Sequence, residues 1–89
     1  MKVLFERIEA LIRGEYNLEG EGLLEAAADL ECATSEAEEE LRKIGDDFAD
    51  MLIEEIIEAG EDCEDGTPEE GAEYVRRIKE LYKQAKTMM

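Results

Sequence analysis

The sequence predicts an all-α protein: a small bundle of three to four helices with a long central helix or a helical hairpin. Three observations predict it. Apolar residues recur at intervals of three and four in three separate stretches. Glycine-bearing connectors interrupt those stretches at 14–22 and 60–67. The chain has 89 residues, 44% of them hydrophobic, which is enough for the core of one small domain spanning 1–89. A domain of this size buries only about 60–65% of its unfolded surface, so that core is thin.

The first stretch covers residues 2–13. Leu4, Phe5, Ile8, Leu11 and Ile12 form one apolar stripe, and Gly14 is placed to stop the helix. Glu6, Arg7 and Glu9 break the apolar run, which argues against a signal peptide. The connector GEYNLEGEG has no GxGxxG pattern, and Glu21 would repel a phosphate. From Leu23 a nearly heptad seam runs through Ala27, Leu30, Thr34, Ala37, Leu41, Ile44 and Phe48, then shifts phase through Leu52, Ile56 and Ala59. Unbroken over 22–59, this helix would be about 57 Å long, and such a rod would imply a homodimer. The Ser35-x-x-Glu38 pattern favours a break near 33–35. Gly45 reads as tolerated inside a helix, at about 1 kcal/mol relative to Ala. Thr67-Pro68-Glu69-Glu70 is a strong helix start, and Val75, Ile78, Leu81, Tyr82 and Ala85 make the last stripe, to about Lys86.

Charge is the feature that bears on function. Twenty-six acids face ten bases with no His, for a net charge of −16. Solubility of a small domain calls for roughly 2–8. Direct nucleic-acid binding and anionic membranes are disfavoured by sign, and no apolar run approaches the ~20 residues of a membrane span. Between Gly45 and Glu73 lie thirteen acids, and no Lys or Arg falls between Lys43 and Arg76. Asp46, Asp50, Glu54 and Glu58 recur every fourth residue, an arrangement that costs a helix roughly 0.2–0.5 kcal/mol per pair. Folding alone does not favour such a ridge. We therefore take Asp46, Asp47, Asp50, Glu54, Glu55, Glu58, Glu61 and Asp62 as the candidate partner-binding residues. Segment 36–58 holds ten acids, about one per 3.3 Å of helix, close to the ~3.4 Å per phosphate of one DNA strand. The expected partner is a protein with a basic, nucleic-acid-binding surface. The expected function is a non-enzymatic, nucleic-acid-mimicking inhibitor of anti-CRISPR or anti-restriction type, in the host cytoplasm if a phage encodes it.

Other chemistries are poorly served. Cys32 and Cys63 form no CxxC pair and have no His to join them, which speaks for a reduced cytoplasmic protein and against zinc. A calcium loop with Gly66 as its glycine would need ligands where Cys63 and Ala72 stand. No nucleophile–base set is present, so no catalytic residue, metal or cofactor is expected. The pairs Glu36/Glu39 and Asp47/Asp50 are spaced to hold Mg²⁺ against a phosphate. The run GDDFADMLIEEI resembles the helix of MazG-type all-α nucleotide pyrophosphohydrolases, although Asp47 stands where that family usually has Glu. That resemblance implies an alternative, a Mg²⁺-dependent nucleotide hydrolase. The run DGTPEEGAEYVRRIKELY resembles the last helix of colicin immunity proteins, small acidic nuclease inhibitors, but lacks their tyrosine-bearing recognition turn. A third reading is an adaptor bundle that dimerises, its acids serving only as a soluble exterior.

Overall fold

The computed structural model describes residues 1–88, and among them every regular element is a helix. There are five: α1 (Lys2–Ile12), α2 (Gly20–Glu36), α3 (Glu38–Ile44), α4 (Asp46–Glu61) and α5 (Pro68–Met88). This exceeds the three to four that periodicity predicts, because the central seam is cut twice.

Helix α1 buries Leu4, Ile8 and Leu11, with Phe5 and Ile12 half-buried at the edge of the core. It ends as expected at Gly14, whose φ of +81° only glycine adopts freely. The Gly14 N–H donates to the Leu11 carbonyl (3.1 Å) and the Glu15 N–H to the Ala10 carbonyl (3.0 Å), the two bonds of a Schellman ending.

The seam from Leu23 to Ala59 is buried nearly throughout, with only Ile44 half-exposed. It does not lie on one rod. The first interruption falls at Ala37, not at 33–35. Ser35 is still helical, and α3 starts without a side-chain cap. The expected Ser35–Glu38 capping box therefore does not form. The Ala37 N–H is shared between the Ala33 and Thr34 carbonyls, at 3.1 and 3.2 Å. The second interruption is Gly45, which separates α3 from α4 in extended backbone (φ 167°, ψ 135°) and does not sit inside a helix. These turns fold α4 back along α2. Near its end, Gly60 lies against Ala27 and Glu31 of α2. The all-α expectation holds, with the seam divided over three helices. The rod fails because a lone 57 Å helix could not bury its own seam, and the molecule measures 35 × 21 × 19 Å.

Helix α5 begins with the expected capping box. The Glu70 N–H donates to Thr67 Oγ1, and the Thr67 N–H donates back to Glu70 Oε1, both at 3.2 Å. Glu70 Oε1 also accepts from the Asp65 N–H (3.1 Å), which holds the preceding loop. Helix α5 closes the core over α1 and α4. Tyr82 meets Phe5 edge to face, with ring centroids 5.5 Å apart, and Lys86 Nζ lies 5.3 Å from the Tyr82 centroid. No described helix is long and apolar enough to cross a membrane.

Tyr74 is the largest fully buried side chain, and its hydroxyl has no hydrogen-bond partner among the described residues. Burial pushes its proton loss well above the ordinary 10.0, and burial likewise raises the Cys63 thiol above 9.0. Both groups stay neutral in the folded protein while the unfolded chain ionises. Their contribution is complete below pH 9 and is lost as pH rises. Stability to urea should be level from pH 7 to about 9 and then fall. Tyr74→Phe should raise it by about 1 kcal/mol at pH 7 and flatten the alkaline decline. A loss of stability in that variant would mean the hydroxyl is bonded.

Candidate interaction surface

Seven of the eight predicted residues lie on α4, and Asp62 follows at its C-cap. The apolar positions Phe48, Ala49, Leu52, Ile56 and Ala59 turn toward the core, so the acids face out. All are exposed except Glu55, which is half-buried.

Although no Lys or Arg falls between Lys43 and Arg76 in sequence, cations from outside that stretch reach four of the eight residues, Asp46, Asp50, Glu55 and Asp62. Arg42, at the end of α3, reaches across the Gly45 break. Its guanidinium lies 2.9 Å from Glu38, 3.0 Å from Asp50 and 3.7 Å from Asp46. The adjacent Glu38 and Asp50 carboxylates push its proton affinity up. Arg77, from α5, lies 2.6 Å from Asp62 and 3.9 Å from Glu55. Among the described residues the other cations of α5 pair with no acid of α4: Arg76 pairs with Glu73 on its own helix, and Lys79, Lys83 and Lys86 are exposed. The two arginines thus hold the two edges of the acidic face.

Between those edges stand Asp47, Glu54, Glu58 and Glu61, none in an ion pair among the described residues. At 3.6 residues per turn they fall within about 60° of arc, and they run for about 21 Å. The unpaired density is therefore about one charge per 5 Å, about two thirds of what the sequence alone suggests. Glu58 and Glu61 also sit at the C-terminal end of α4, where the helix dipole disfavours anions and the last turn holds no basic residue of its own. Local stability does not account for their presence.

Sequence reasoning missed the second half of this surface. Helix α2 lies beside α4 and exposes Glu21, Glu25 and Glu36, with Glu31 half-buried, and none of the four is paired among the described residues. Asp29 alone on that helix pairs, with Arg7 at 3.7 Å. The available signal was the stretch between Arg13 and Arg42, which holds no Lys or Arg. Neither α2 nor α4 carries a cation.

Among the described residues no group of three or more Asp, Glu, Cys or His is placed to hold a metal ion. Glu36, Glu39, Asp47 and Asp50 therefore do not gather as a metal site, and neither does the 61–65 loop. Compared with known proteins, the chain matches no family model, no curated protein and no solved structure.

Proposed function

We propose that this chain is a non-enzymatic acidic interaction protein that occupies a basic surface on a partner protein. That surface is the partner's nucleic-acid-binding face, so the chain acts as a nucleic-acid-mimicking inhibitor of anti-CRISPR or anti-restriction type. The observation that supports this reading is the row Asp47, Glu54, Glu58 and Glu61, which stays unpaired although arginines bind the acids on both sides of it. Like charges arrayed against a helix dipole weaken the fold, and contact with a cationic partner relieves both costs.

The test is competition. A partner captured from host lysate with the full chain is titrated with labelled duplex DNA, with and without the chain. The chain should displace the DNA. Its affinity for the partner should fall at least roughly tenfold as salt rises from about 50 to 200 mM, because exposed charges are screened over that range. Simultaneous binding of DNA and chain, or affinity indifferent to salt, would overturn the proposal.

A further inference from the structure

Carboxylates alone do not say what shape of basic surface they meet, but the apolar residues among them do. Leu24, Ala28 and Cys32 stand four residues apart on the exposed side of α2. Ile57 faces them from α4, and a cleft of about 470 Å³ lies between, lined by Ala28, Glu31, Cys32, Ser35, Glu36 and Ile57. Leu24 is 44% exposed and Ile57 40%, two of the four large hydrophobic side chains so exposed among the described residues. Glu31 and Glu36 line the cleft on the α2 side, where the field of Arg7 from α1 reaches Glu36. By helical spacing Glu21 and Glu25 share the exposed face of α2 with Cys32, and Glu54, Glu58 and Glu61 that of α4 with Ile57. Neither helix supplies a cation to either flank.

We infer that the α2–α4 cleft receives an amphipathic helix of the partner, one that carries Lys and Arg on both sides of a narrow apolar ridge. Three features fit that occupant. The cleft runs along α2 from Ala28 to Glu36, a track of about 12 Å that takes two turns of a helix. Ala28, Cys32 and Ser35 are small, which lets a third helix approach to the usual 8–10 Å between axes. The flanking carboxylates match basic residues on either side of an apolar ridge, whereas a second copy of this chain would bring carboxylates of its own. This inference rests on the proposed function, and it names the element of the basic surface that makes the contact.

The probe is a synthetic lysine–leucine peptide of about 18 residues, written at helical period. Its control is the same composition scrambled so that no apolar ridge forms. Binding to the full chain is read by fluorescence anisotropy, and the site by backbone amide shifts of the isotope-labelled protein. The patterned peptide should bind roughly tenfold tighter than the scrambled one, with shifts confined to α2 and α4. The double variant L24S/I57S should remove that advantage, while V3S, which trims an equally exposed residue of α1, should not. Equal binding of the two peptides, or shifts lying elsewhere, would overturn the cleft while leaving the acidic surface intact. No binding of either peptide at low salt would overturn both readings. A dimer of this chain whose interface maps to the cleft would also overturn it.

Discussion

Neutralising the unpaired row with D47N, E54Q, E58Q and E61Q together should weaken binding to the basic partner by about a hundredfold, roughly threefold per charge. The informative control is D46N, D50N, E55Q and D62N, which removes the same four charges from the same net of −16. Those acids already share their field with Arg42 and Arg77. Their loss should cost the partner no more than about tenfold. Equal losses in the two variants would show that net charge governs association and that the row has no special role. The unpaired variant should also melt somewhat higher, since Glu54 and Glu58 no longer repel at one-turn spacing, while the control loses its arginine contacts.

Gly66→Ala should lower stability to urea by about 2–4 kcal/mol, a large share of the 5–15 typical of a domain. Gly66 has φ +65°, where a side chain meets the backbone. Its carbonyl also accepts a 2.7 Å bond from the Gly20 N–H. An added Cβ would lie 2.8 Å from Gly20 Cα and 2.9 Å from Gly20 O. Backbone cannot rotate aside as a side-chain tip can, so either the Gly66 loop or the start of α2 has to move. Gly45→Ala is the contrast. There the backbone is extended and the nearest atom, Phe48 Cβ, lies 4.0 Å from the new methyl. That change should be neutral within about 0.5 kcal/mol or mildly stabilising. Similar costs at both positions would contradict the close loop contact.

What could be read in advance followed from how local each cause is. The stripes of α1 and α5, the stop at Gly14 and the Thr67–Glu70 box depend on residues within one or two turns, and all were legible. The break after α2 was legible to within a few residues of Ala37, and the cut at Gly45 was not. A glycine costs a helix about 1 kcal/mol, and a capping box contributes about as much, so local terms left the seam undecided. Packing of α4 on α2 and α3, with Leu41, Phe48 and Leu52 all buried, decided it. The charge pattern divides the same way. Arg42 stands one turn before Asp46 and was within reach of sequence reasoning. Arg77 meets Asp62 from 15 residues away, across a loop whose path only the packed helices determine.

The cations are unevenly placed. Half of the ten, Arg76, Arg77, Lys79, Lys83 and Lys86, lie on α5, which packs chiefly on α1 and α4, whereas α2 and α4 have none. The molecule is thus a strong monopole with a dipole moment superimposed on it. An approaching cationic body feels torque as well as pull, and that torque turns α2 and α4 toward it before contact. Collisions would arrive already oriented, which raises the productive fraction of encounters beyond what the total charge alone provides.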